Sequence, residues 1–149
     1  MTMQVIGFNF DKISAERKSQ EAKSNLKVNS TLNIKHVVEE KILVMKDQAG
    51  LRFSFEFLTE YAPDYASLIF TGSILMTAEK GEGKDILKRW KDKEINPNLQ
   101  ISLFNLILSK CNVRSLQLED ELGLPLHIQL PRISDEKSLS SPSSSNYAG

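Results

Sequence analysis

Between positions 51 and 57 the chain alternates without interruption, with Leu51, Phe53, Phe55 and Phe57 on one parity and Arg52, Ser54 and Glu56 on the other. Successive side chains of a strand point to opposite faces, so three phenylalanines on one side demand a strand with one face in a hydrophobic core. A strand of that kind cannot stand alone. The rest of the chain must supply further strands to pair with it and helices to cover its apolar face.

The flanking segments carry the same period. Residues 5–13 place Ile6, Phe8 and Phe10 two apart, which predicts a strand buried on one face. Residues 14–29 are rich in Glu, Lys, Ser and Asn without a sustained apolar period, and are expected to be a long connection. A second strand is expected within residues 30–44, where Leu32, Ile34, His36 and Val38 share one parity, although Val37, Ile42, Leu43 and Val44 blur its far end. Asp47 and Gly50 make a turn at 46–50, closing a hairpin onto the phenylalanine strand. After Pro63, residues 65–78 form a fourth strand with Leu68, Phe70, Ile74 and Met76 on one face, and Gly81 and Gly83 end the sheet region.

Beyond the glycines the period becomes helical. Residues 84–93 form a short charged helix carrying Ile86, Leu87 and Trp90. Asn96 before Pro97 suits an N-cap and first helical position, because the amide oxygen accepts an orphan N–H and proline has none. The long helix then runs to Leu122, where Gly123 supplies the left-handed stop and Pro125 lies just beyond. Ile101, Phe104, Leu108, Cys111, Ser115, Leu118 and Leu122 recur at spacings of three and four and define a seam against the sheet. Leu99, Leu103, Leu106 and Ile107 fall outside that seam. One helix on a small sheet cannot bury them as well, so they are assigned to a contact between subunits. Leu126, Ile128 and Leu130 alternate again before Pro131, along the sheet or another subunit. From Ser134 the chain is mostly serine with charge, which predicts a disordered tail over 134–149 behind one α+β domain over 1–133. The fold class is a four-stranded antiparallel sheet followed by a short and a long helix.

Charge and cysteine content narrow the function. Nineteen basic residues balance nineteen acidic ones, so no net field draws the chain to nucleic acid or an anionic membrane. The single cysteine excludes an intrachain disulfide and fits a reducing compartment, the first eleven residues show no secretory signal, and a cytoplasmic protein is expected. The apolar stretch 101–108, broken by Ser102 and Asn105, falls short of the ~20 residues a bilayer requires, so no membrane insertion is expected.

Candidates for chemistry are few. His36 and His127, the only histidines, sit among apolar neighbours and are taken as partly buried structural residues, and Cys111 as a small hydrophobe in the helix seam. One cysteine and two isolated histidines offer no zinc spacing. The run Gly81-Glu82-Gly83-Lys84 lacks the spacing and the following Ser or Thr of a phosphate loop. The adjacent carboxylates Glu39-Glu40 and Glu119-Asp120-Glu121 are expected on solvated surfaces. The chain is therefore expected to be no enzyme and to use no metal or cofactor. The surplus is apolar, with six of seven phenylalanines on strands.

At the long helix a resemblance emerges. Pro97-Asn98-Leu99 opens it, Gly123-Leu124-Pro125 closes it, and Leu126-His127-Ile128-Gln129-Leu130-Pro131 follows; with the order of four strands, a short helix and a long helix, the chain resembles the bacterial export chaperone SecB and its relatives over roughly residues 5–133. The resemblance implies a homotetramer built as a dimer of dimers, or a dimer. It further implies a cytoplasmic holdase that binds unfolded or nascent polypeptides in hydrophobic grooves without ATP, with a link to protein export. Among this chain's residues, Tyr61, Tyr65 and Trp90 are the candidates for client contact, since each lies near an element end and joins a large apolar body to a polar handle. Two other readings stay open. One is a non-catalytic interaction module in a larger assembly such as a ribosome-associated complex, and the other is a small-ligand binder or an enzyme of unfamiliar type.

Overall fold

The computed structural model describes residues 3–21, 25–42 and 47–133. The expected tail over 134–149 and the end of the second strand at 43–44 lie outside them. In chain order the elements are β1 (Gln4–Arg17), β2 (Lys27–Glu40), β3 (Gln48–Ala62), β4 (Ala66–Glu79), α1 (Lys80–Trp90) and α2 (Pro97–Leu122). The four strands form one antiparallel sheet in the order β1-β4-β3-β2, leaving β1 and β2 as edges. This is the α+β architecture that the alternation demanded.

Several boundaries differ from expectation: β2 begins at Lys27 and not at 30, Gly50 of the expected turn lies within β3, and α1 ends at Trp90 and not at 93. β1 continues to Arg17 through the polar residues read as a connection, because Ser14, Ala15 and Glu16 pair with Ile69, Leu68 and Ser67 of β4. Backbone pairing needs no apolar period on the solvent side of an edge. α1 begins at Lys80, so Gly81 and Gly83 lie inside a helix. Gly83 is buried, and a Cβ there would come within 2.9 Å of the Ala49 side chain, so this glycine lets helix and sheet approach closely.

The core lies on one face of the sheet. Leu51, Phe53, Phe55 and Phe57 are at most 1% exposed and sit opposite Met76, Ile74, Gly72 and Phe70 of β4. Gly72 leaves room for the Phe55 ring, which stacks on Phe8 at 5.5 Å and meets Phe10 edge-on at 6.3 Å. The outer face is mixed: Val38, Leu58, Ile69 and Leu75 share it with a polar group in which Arg52 pairs with Glu40 and donates to Ser73 at 2.7 Å, and the Ser73 hydroxyl donates to Asn9.

Register on the edge strands departs from simple alternation. A bulge between Ile34 and His36 shifts β2 by one residue, so that Val37 faces Phe53 at 5% exposure while Val38 is 49% exposed. His36, expected to be partly buried, is instead exposed opposite Ser54. In β1, bulges between Val5 and Gly7 and between Phe10 and Lys12 keep Phe8 and Phe10 over the core but put Val5, not Ile6, opposite Met76.

α2 ends as its sequence predicts. The Asn96 side chain accepts from the Asn98 N–H at 2.9 Å, and Gly123 takes a left-handed φ of 67°. Arg17 reaches across to donate to the Leu122 carbonyl at 3.0 Å, placing a cation at the negative end of the helix. Its buried stripe is Leu99, Leu103, Ile107, Cys111, Ser115 and Glu119, a strict spacing of four. At 3.6 residues per turn such a stripe drifts by roughly 40° at each step, so its far end turns toward the segment after the helix, where Glu119 meets His127. The seam of mixed threes and fours is thereby corrected. Leu99, Leu103 and Ile107, placed outside it and assigned to a subunit contact, are buried in this chain's own core, while Leu106 is half-buried and Ile101 is 58% exposed.

Candidate functional site

The sheet's core face is only partly roofed. α1 packs over β2, β3 and β4, and α2 over β1 and β4. Residues of the connection between the helices, 91–96, line two clefts. The first cleft, of about 640 Å³, has a floor of Met3, Val5, Met76, Ile86, Ile95 and Leu99. The second, of about 400 Å³, lies over β2 and is lined by Leu32, Ile34, Trp90, Ile95 and Phe104 with Asn33, Lys35, Lys93 and Gln100. Ile95 lines both.

Helical spacing divides α1 between the clefts, since Ile86 enters the first and Trp90 the second. The rims differ in charge. Glu82, Asp85 and Glu94 border the first together with Arg89, whose Nε lies 3.2 Å from Asp85. Lys35 and Lys93 border the second, with the Lys93 ammonium 4.6 Å from the centre of the Trp90 ring.

Of the three aromatic residues expected to touch a client, the structure brings only Trp90 to a cleft. Tyr61 is 1% exposed and its hydroxyl donates to the Pro125 carbonyl; Tyr65 is 4% exposed beneath the Arg17 guanidinium, 5.4 Å from its ring centre. A tyrosine hydroxyl keeps its ring near the surface only while water is its partner, and here the returning chain supplies a carbonyl in the interior. Burial first, and then the negative charge of Glu119, push the Tyr61 hydroxyl well above the ordinary phenol range. The cleft residues that sequence reasoning missed are Met3, Val5, Met76, Ile86 and Ile95. Ile95 carried a signal, being a lone isoleucine in the polar run between the helices. The others come from separate elements and carried none.

A second polar grouping lies at the far end of α2. Glu119, expected on a solvated surface, is fully buried. Its carboxylate accepts from the His127 backbone N–H at 3.1 Å, and Nδ1 of His127 lies 2.9 Å from both carboxylate oxygens. Nε2 of the same ring contacts Oδ1 of Asn112 at 2.9 Å. These contacts fasten the segment after α2 back onto the helix. Beyond it Leu130 and Ile133 are 54% and 67% exposed, and no strand forms among the described residues there.

Cys111 is fully buried, and burial pushes its thiol up to about 12. At about pH 8 only about one thiol in ten thousand is then ionised. The folded protein should therefore resist alkylation at that pH and react only once denaturant opens the core. Rapid labelling of the native state, followed by mass spectrometry, would contradict this burial. Among the described residues no group of three His, Cys, Asp or Glu could hold a metal ion, and no helix is long and apolar enough to cross a membrane.

No family model matches the chain, and no curated protein matches it. Among solved structures it is similar to a Mycobacterium tuberculosis SecB-like chaperone in complex with a ChAD peptide from an antitoxin, at 14% identity, covering 89% of this chain and 90% of that one, with a TM-score of 0.48.

Proposed function

We propose that this chain is an ATP-independent holdase that binds extended apolar segments of non-native polypeptides in the two clefts beside Ile95, acting in the cytoplasm as a homo-oligomer without metal or cofactor. The first cleft carries this reading. Its floor joins two methionines to aliphatic side chains from four separate parts of the fold. Methionine is unbranched and polarisable and repacks around different partners, and non-directional burial at about 25 cal/mol per Å² tolerates many client sequences. Oligomer formation draws support from Val113, 60% exposed on α2.

The test is suppression of aggregation of several unrelated unfolding proteins at stoichiometric ratio, without nucleotide. Changing Ile86 and Ile95 together to serine should raise the concentration needed for half suppression by roughly tenfold, since a fully buried aliphatic side chain contributes about 1.5–3 kcal/mol and a half-buried one less. Circular dichroism should stay unchanged. If the native chain delays none of these aggregations, the holdase reading fails and a non-catalytic interaction module replaces it. The exposed apolar segment Leu126, Ile128, Leu130 and Ile133 is what favours that second reading.

A further inference from the structure

The two clefts meet at one side chain, Ile95, and present rims of opposite sign. On the first, three carboxylates face one guanidinium, and Arg89 is already paired with Asp85. Among the described residues neither Glu82 nor Glu94 is in an ion pair. On the second, Lys35 and Lys93 stand without a carboxylate in the lining. Lys35 has only a long contact of 3.7 Å with Glu56, both side chains being more than a third exposed.

Lys93 adds an independent observation. It closes α1, with its N–H bonded to the Trp90 carbonyl at 2.8 Å and the Glu94 N–H to the Arg89 carbonyl at 3.1 Å. That closure puts Lys93 at a φ of 60°, a left-handed position where glycine is the stable choice and a Cβ is strained. The chain nevertheless keeps a lysine there, and the geometry sets its ammonium over Trp90 at the mouth of the cleft. With a net charge of zero, the molecule has no long-range field to blur this local contrast. Each rim acts within the Debye length, about 8 Å at physiological salt.

We propose that the paired clefts sort their occupants by charge: the preferred segment carries a basic residue beside the apolar anchor in the first cleft and an acidic residue beside the anchor in the second. This rests on the reading that the clefts take extended polypeptide. Alternate residues of such a segment point the same way about 6.7 Å apart, so charged and apolar side chains can enter one cleft together.

The test uses the full chain and four labelled peptides with one common aliphatic centre. One has lysine at one end and glutamate at the other, one has lysine at both, one glutamate at both, and one glutamine at both. By fluorescence anisotropy at about 50 mM salt the mixed-charge peptide should bind roughly fivefold tighter than the glutamine peptide, the scale expected of two exposed pairs. The gap should close at about 1 M salt, where screening is nearly complete. Reversing the second rim with Lys35→Glu and Lys93→Glu should move the preference to the peptide with lysine at both ends. Lys93→Gly should raise the melting temperature while reducing the mixed-charge preference, whereas a lysine retained for structure alone leaves that preference intact. Equal affinity for all four peptides at low salt, or equal affinity of the mixed and the doubly basic peptide, overturns charge sorting and leaves the client reading standing. Failure of even the glutamine peptide to bind overturns the client reading, and this proposal with it.

Discussion

Truncating Ile107 to alanine should cost about 2–5 kcal/mol of folding stability, whereas Ile101→Ala should change it by about 0.5 kcal/mol or less. Both residues are isoleucines in the first half of α2, and intrinsic helix propensity treats them alike. Ile107 is fully buried in the stripe that packs against the sheet, and its loss leaves a cavity that neighbours on a rigid sheet fill only in part. Ile101 is 58% exposed, so alanine there removes little buried area. Urea unfolding of the two variants measures the difference directly. For a domain stable by about 5–15 kcal/mol the first change consumes a large share of the total. The reverse order, with Ile101→Ala the more costly change, would mean that the helix packs through the mixed seam of threes and fours, and not through the stripe of fours.

Removing the His127 side chain should also be costly, at about 1–3 kcal/mol, the range for leaving a buried hydrogen-bonding group without its partner. Glu119 has no exposure to water and His127 approaches both of its carboxyl oxygens, so His127→Ala leaves a buried carboxyl group with only the residue 127 backbone N–H as partner. The mechanism has its own signature. Combining His127→Ala with Glu119→Gln should restore part of the loss, because the amide keeps the carboxyl group's shape and still accepts from the residue 127 N–H. Tyr61→Phe, which removes only the hydrogen bond to the Pro125 carbonyl, should cost about 0.5–1.5 kcal/mol. If the losses from His127→Ala and Glu119→Gln simply add, the two side chains are not coupled and the cluster does not act as one unit.

Much of this architecture was legible because its causes are local. The termini of α2 follow from Asn96, Pro97 and Gly123, whose side chains or their absence act within a single turn. The core face of β3 follows from its own alternation, since a central strand without a bulge keeps parity along its length. The candidate site was less legible. Trp90 was named and lines a cleft, while Tyr61 and Tyr65 were named and lie inside the core. A tyrosine's pattern in sequence is the same whether its hydroxyl meets water or a carbonyl delivered from residue 125.

Sequence by itself thus determined the order and kind of the elements, the ends of α2 and the face of the central strand, because each depends on neighbours within a few positions. Tertiary structure alone decided the rest. The bulge beside Lys35 exchanges Val37 for Val38 because parity on an edge strand is set by its pairing partner. The buried stripe on α2 drifts around the helix because its first part packs into the core and its last, Glu119, meets the returning segment at His127. Glu119 is buried because a histidine eight residues later folds back to meet it. The clefts exist because Met3, Met76, Ile86 and Ile95, distant along the chain, reach one uncovered part of the sheet. No local period records a meeting of that kind, since it depends on where whole elements come to rest.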